Sequence, residues 1–214
     1  DAVLPYFRKL ERDMDVDDDY HGREGPIPIR RIYPESWSEH TRAVGEAFTD
    51  AGFEYLEDQN GEFRDGYFPI TISNAYERRV STAIGYLGPS VRQRPNLTIQ
   101  TQAPVQSLLM EGNRCMGVRA SVEGKTQEFR AGEVILSCGA IHSPAHLLRA
   151  GIGPAMALKD QGLDVNINLP GVGQRLQDHP SIALASFLKP HARPTGHTRR
   201  HVLIGLRYSS KLGD

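Results

Sequence analysis

The chain has 214 residues, 39% of them hydrophobic and 24% charged, with a formal net charge of -1. That is enough to bury a core of ordinary size, and so balanced a charge gives no reason to expect nucleic acid or an anionic membrane as partner. No apolar run approaches the ~20 residues needed to span a bilayer, and no signal peptide is recognisable, so the compartment stays open with the cytoplasm favoured. The start at Asp1, without a methionine, leads us to expect an excised or processed segment.

Taken in order, residues 3–10 place Val3, Tyr6, Phe7 and Leu10 on one face of a short helix with Pro5 in its first turn. The acidic run from Asp13 to Asp19 ends it and reads as a solvated loop. His21 to Pro26 is a turn-rich connector, and Pro28 restricts the apolar run 27–32 to an edge strand. Trp37, Thr41, Val44 and Phe48 recur at helical spacing before a stop at Gly52. Asp58 to Gly61 is a turn, Phe68 to Ser73 a strand, and Arg79 to Ala83 the lead into a helix through Tyr86 and Leu87.

From residue 97 to 137 the pattern predicts strands at 97–102, 105–110, 115–121, 126–130 and 133–137. Hairpin turns are expected at Glu111 to Asn113 and at Glu123 and Gly124. The last strand is short and apolar enough to be buried, and it ends at the small residues Cys138, Gly139 and Ala140. Ser143 and Pro144 read as N-cap and first residue of a helix carrying Leu147 and Leu148, stopped by Gly151. Pro154 opens a second helix with Met156 and Leu158, Gly162 closes it, and 165–167 resumes as strand. Residues 182–188 and 202–208 are two further strands, joined by a solvated basic loop over 189–200.

Little of this carries chemistry by itself. Cys115 and Cys138 form neither metal spacing nor a disulfide framework and read as buried small hydrophobes. His142 and His146 stand four apart, but His142 precedes the expected N-cap, so the two should not share a helical face and a metal is disfavoured. Ser143 is explained by capping, with nothing to orient a base. Gly151 with Gly153, and Gly171 with Gly173, are turn and cap glycines. No G-x-G-x-x-G follows a first strand to hold a pyrophosphate.

Two stretches are nonetheless specific. Gly139 through Pro154 (GAIHSPAHLLRAGIGP) and Leu169 through Pro180 (LPGVGQRLQDHP) resemble the second signature of the glucose-methanol-choline (GMC) oxidoreductases, flavoenzymes that oxidise alcohols. Ala150 and Cys138 depart from the serine and alanine usual there, each small for small. The resemblance extends over nearly the whole chain, through the Leu-Pro-Tyr-Phe helix, the His21-Gly to Gly-Pro26 segment and the Asn60-Gly61 turn. It is firmest from Arg79 to Pro180.

That resemblance implies an α/β fold, mixed with α+β. It would consist of a partial FAD-binding domain with a β-meander and part of an antiparallel-sheet substrate domain. Residues 1–90 would belong mainly to the substrate domain, 91–180 to the FAD domain, and 181–214 to a return into the substrate domain. FAD is the implied cofactor and a small-molecule alcohol the substrate, with hydride passing from its carbinol carbon to the flavin. Val105, the valine of Ala103-Pro104-Val105, would meet the adenine through its backbone, Cys138 and Gly139 would lie on the adenine and ribose side, and Asp178 with His179 would form an edge of the cofactor site. The family's catalytic histidine lies near the C-terminal end of the full-length protein, so no catalytic residue and no metal ligand is expected here. The chain is then a central fragment whose partner is the remainder of the full-length chain. By itself it should be inactive, and poorly stable or self-associating because a sheet edge is left unpaired. The competing reading is a non-catalytic module that binds a partner or an adenine nucleotide through that edge.

Overall fold

A computed structural model describes residues 2–75, 78–194, 196 and 202–210. In chain order these form α1 (Leu4–Leu10), β1 (Glu11–Asp13), β2 (Ile27–Ile29), α2 (Glu39–Asp50), β3 (Gly66–Pro69), β4 (Asn74–Ala75), β5 (Arg78–Arg79), α3 (Thr82–Tyr86) and α4 (Pro89–Arg92). There follow β6 (Val105–Glu111), β7 (Arg114–Val122), β8 (Lys125–Arg130), α5 (Gly139–Arg149), β9 (Ile152–Gly153), α6 (Ala155–Asp160), β10 (Ile167–Asn168) and β11 (Ile204–Arg207). The expected mixture of helix and small sheets is what forms. The chain divides into two compact units, Asp1–Leu97 with Leu184–Asp214, and Thr98–Ala183.

The first unit is built around Trp37, Tyr67 and Leu203, with Ile32, Phe48, Phe53, Tyr55, Ile204 and Leu206 packed against them. Its strand β3 is buried along its whole length and pairs antiparallel with β11, Tyr67 opposite Leu206. Helix α2 begins where the Ser38 Oγ accepts the Thr41 N–H at 3.2 Å, satisfying one of the donors that a helix start leaves free. The helix lays Gly45 against the rings. A β-carbon there would meet the Trp37 ring at 3.3 Å and the Tyr67 ring at 3.4 Å. Tyr55 and Tyr67 lie 5.4 Å apart, Phe48 and Tyr67 5.7 Å, and Trp37 donates its indole N–H to the Ile32 carbonyl. Such offset aromatic pairs each add about 0.5–1.5 kcal/mol beyond the area they bury.

Elsewhere in this unit β1 pairs with β2 in parallel, Glu11 opposite Ile27 and Asp13 opposite Ile29. Pro28 is tolerated in this two-stranded sheet and is fully buried. The predicted apolar face of α1 exists, but Val3, Tyr6, Phe7 and Leu10 are all exposed and the helix buries none of its residues. The strand expected at 182–188 does not form, and Ile182, Leu184 and Phe187 are exposed. The expected basic loop 189–200 falls partly outside the described residues, while β11 matches the core of the strand predicted at 202–208.

In the second unit the meander forms as expected, in the order β6-β7-β8. Its second turn puts Glu123 at φ 51° and Gly124 at φ 76°, the two positive dihedrals that a tight hairpin matching strand twist requires. Two expected strands are absent among the described residues. Residues 97–102 and 133–137 have no ladder, and in the latter Ile135 is 81% exposed while Val134 and Leu136 are only half-buried. An apolar run becomes a buried strand only when neighbours hydrogen-bond it on both sides, and no described strand does so.

The helix starts also moved. Helix α5 begins at Gly139, not Ser143, so Pro144 lies inside it. The Ser143 Oγ accepts the Cys138 N–H at 2.9 Å from within the helix rather than from its cap. Helix α6 does follow Pro154, but it buries Leu158 and leaves Met156 exposed. The following strand is only Ile167–Asn168, running parallel to β9. No helix among the described residues is long and apolar enough to cross a membrane.

Candidate functional site

In the second unit the predicted cofactor residues lie on three segments. Val105 opens β6 opposite Ala120, half-buried, directly after the bond from the Ser121 N–H to the Pro104 carbonyl. Cys138 and Gly139 mark the start of α5. Gly139 adopts φ +81°, a left-handed value open mainly to glycine, and a β-carbon added there would meet nothing within 4 Å. Cys138 is exposed, against the expectation that it would be buried. The run 133–137 that leads to it joins no sheet among the described residues. Asp178 is exposed, and its Oδ1 accepts the His179 N–H at 2.8 Å.

The start of α5 is therefore open, with Gly139 unobstructed and Ile141 exposed beside it. The first N–H groups of an 11-residue helix have no intrahelical acceptor, and no acidic side chain sits in the first turn to occupy them. Such a surface suits the oxygens of a ribose or phosphate.

Both histidines of α5 lie inside the helix, so they stand on one face, four residues apart, contrary to the expectation. The cause is the early helix start. They do not act as a pair. His142 is exposed, whereas His146 is buried and accepts a hydrogen bond at Nδ1 from Arg149 at 3.0 Å. Burial, helped by the charge of Arg149 and by His142, lowers the His146 pKa from 6.5, which keeps the ring neutral.

The largest departure from the sequence reading is in the first unit. The acidic run is not all solvated: Asp13 is 1% exposed, His21 2% and Arg31 2%. Arg31 Nη1 donates to both oxygens of Asp13, at 2.9 and 3.0 Å, and its Nε and Nη2 reach Asp58. His21 Nδ1 lies 2.9 Å from Glu11 and 3.2 Å from Asp13, while Nε2 lies 3.0 Å from Asp58. Backbone groups complete the network. Asp13 Oδ1 accepts the N–H of Asp15 and of Val16, and Glu11 Oε1 accepts that of Gly22.

The electrostatics follow from these neighbours. Burial opposes the charge on His21, but the hydrogen bonds and charges of Asp58 and Glu11 outweigh it and raise the pKa above 6.5. Burial likewise opposes charge on Asp58, yet Arg31 overcomes it and lowers the carboxyl below 3.8. Glu11, Asp13 and His21 bring ligand-type atoms within 4.8 Å of one another. Both Asp13 oxygens are turned to Arg31, so the guanidinium already supplies the cation that this carboxylate faces. The signal available in the sequence was Arg31 itself, a charge at the end of an apolar run, since an arginine drawn into a core needs carboxylates around it.

Comparison with known proteins now bears on both units. A family model described as GMC oxidoreductase matches residues 1–181. The chain belongs to the GMC oxidoreductase family. It is 46% identical over 213 residues to 5-(hydroxymethyl)furfural oxidase of Methylovorus sp., covering 98% of this chain and 40% of that protein. It is 35% identical over 209 residues to an oxygen-dependent choline dehydrogenase of Staphylococcus saprophyticus, covering 96% of this chain and 37% of the relative. Among solved structures, pyridoxine 4-oxidase from Mesorbium loti is similar with a TM-score of 0.74 and 34% identity, over 78% of this chain and 33% of that one. An Aspergillus oryzae formate oxidase studied for its FAD modification is similar with a TM-score of 0.72 and 27% identity, over 84% and 32%. The chain thus spans about two fifths or less of the length of these GMC proteins, and GMC membership carries with it an oxidoreductase lineage built on a flavin.

Proposed function

We propose that this chain is a central part of a flavin-dependent oxidoreductase acting on the CH–OH group of a small alcohol. The observation that carries the reading is the GMC match over residues 1–181, together with an open helix start at Gly139 where that family's second signature begins. The relatives named for hydroxymethylfurfural and for choline support a primary alcohol as the substrate class.

FAD, when bound, supplies the hydride acceptor. The residues of this chain would hold its adenine and ribose side. Val105 offers the backbone at the head of β6, Cys138 and Gly139 the unobstructed approach to the N–H groups of α5, and Asp178 an exposed acceptor for a ribose hydroxyl. What supports this assignment is the space at Gly139, where an added β-carbon would meet nothing within 4 Å. The division at residues 97/98 and 183/184 supports assigning 91–180 to the FAD domain and 1–90 with 181–214 mainly to the substrate domain. None of these residues is placed as the proton acceptor from the alcohol, a role assigned to the remainder of the full-length protein.

The test is an assay of the full-length protein, reconstituted with FAD, against primary alcohols including 5-(hydroxymethyl)furfural and choline. Flavin bleaching by an alcohol under anaerobic conditions is the expected result. A retained flavin that no alcohol reduces would overturn the substrate class, and failure to retain flavin would overturn the cofactor assignment.

A further inference from the structure

We propose that His21 is a pH-sensitive latch: as a doubly hydrogen-bonded imidazolium it ties β1 to the Asp58 turn, and it releases that turn when its proton leaves. Both ring nitrogens face carboxylates, Nδ1 toward Glu11 and Asp13 of β1 and Nε2 toward Asp58. A neutral imidazole has one N–H, so one nitrogen would point a lone pair at an anion at 3.2 Å or less. Only the protonated ring satisfies both sides.

Charge points the same way. Glu11, Asp13 and Asp58 all face His21, and only Asp13 and Asp58 also pair with Arg31, so loss of the imidazolium proton leaves Glu11 without a cationic partner in the network. Arg31 stays with Asp13 and Asp58 at any pH in reach, and the bond that fails is the one His21 makes across the network. Release has somewhere to go. His21 forms part of the wall of an open cleft of about 630 Å³, whose other charged lining groups are Arg8 and Lys9 of α1 and Asp17, Asp18, Arg23 and Glu24 of the loop. These are mixed in sign and compensate one another, whereas the groups in direct contact with the ring are all acidic. The Asp18 carboxylate accepts the His21 backbone N–H at 3.1 Å, so the loop is anchored to the same residue.

Because protonation is favoured in the folded state, the latch is closed below about pH 6.5 and opens as pH rises through the higher folded-state value. The expected outcome of opening is loosening of residues 11–31 and of the Asp58 turn, with the aromatic core around Trp37 left in place.

Hydrogen exchange of the full-length protein, followed by mass spectrometry from about pH 5.5 to about pH 9 and corrected for the intrinsic rate, tests this. Protection of peptides covering 11–31 and 56–62 should fall by about tenfold or more over that range, while peptides from the meander hold theirs. In His21→Gln, which retains one donor without the charge, the same peptides should be weakly protected at every pH. If that variant does not fold, wild-type protein labelled with 15N-histidine decides: one ring with both N–H groups in slow exchange and a titration above 6.5 supports the latch. Equal protection at both ends of the range, an equal loss throughout the molecule, or a ring titrating at or below its ordinary value would each overturn it.

Discussion

Arg31 and Asp13 form an ion pair in which neither side chain reaches solvent, Nη1 lying 2.9 Å from one carboxylate oxygen and 3.0 Å from the other. The two residues are 18 apart in sequence and are brought together because β1 and β2 run parallel, with Asp13 beside Ile29 just ahead of Arg31. A buried pair is weak evidence of net stabilisation, but removing one partner strands the other. Asp13→Asn should therefore cost about 3–5 kcal/mol, read as a lowered urea midpoint. By contrast, Glu54→Gln, which breaks an exposed pair with Arg64, should leave that midpoint where it is.

Acid should attack the same network from the other side. Asp58 is held below its ordinary 3.8 by Arg31 acting against burial. A carboxyl with a depressed folded-state pKa stabilises fully above its unfolded value and loses that contribution as pH falls through the folded one. Thermal melts taken downward from about pH 5 should show a loss that Asp58→Asn lacks.

His146 should behave in the opposite sense to His21. Its pKa is lowered from 6.5 by burial, with Arg149 and His142 adding to the effect. The folded state favours the neutral ring, so stability is present above the unfolded value and declines as pH falls below it. His146→Gln should flatten that decline. The first unit would then tighten its His21 contact on acidification while α5 weakens, and segment-resolved hydrogen exchange would separate the two.

Gly117 holds β7 against β8. Its φ is +150°, and a β-carbon there would lie 2.1 Å from the Phe129 carbonyl oxygen and 2.9 Å from the Arg130 α-carbon. Both obstacles are backbone, so no side chain can move aside. Gly117→Ala should destabilise the meander by at least about 2 kcal/mol, visible as a lower melting temperature. Gly112→Ala should cost less. The turn position meets nothing within 4 Å, so only its φ of +58° is strained.

Gly139 separates the cofactor proposal from mere folding. At φ +81° the β-carbon of Gly139→Val meets nothing within 4 Å, but a β-branched residue there costs about 1–3 kcal/mol of backbone strain and covers the helix start. Retention of FAD on dialysis should fall by about tenfold or more. Gly162→Val places a valine at a similar φ of +70°, also in open space, and serves as the control for strain alone.

What could be read from the sequence was local. The meander was legible because alternating residues and a Glu123-Gly124 turn specify a hairpin through near neighbours alone, and Gly52, Gly151 and Gly162 each marked a stop by the positive φ they adopt. The signature from Gly139 to Pro180 identified the family, since residue order survives whatever the chain packs against. What only tertiary structure decided was burial. The run 133–137 has a strand's composition but no ladder, because strand formation depends on neighbours that composition does not name. Asp13 belongs to an acidic run that looks solvated, and only the approach of Arg31 and His21 turns it inward; Asp58, 45 positions further on, completes the set. A charge pattern along the chain records which groups are present, but desolvation and pairing depend on distances through space, and those are set by the fold.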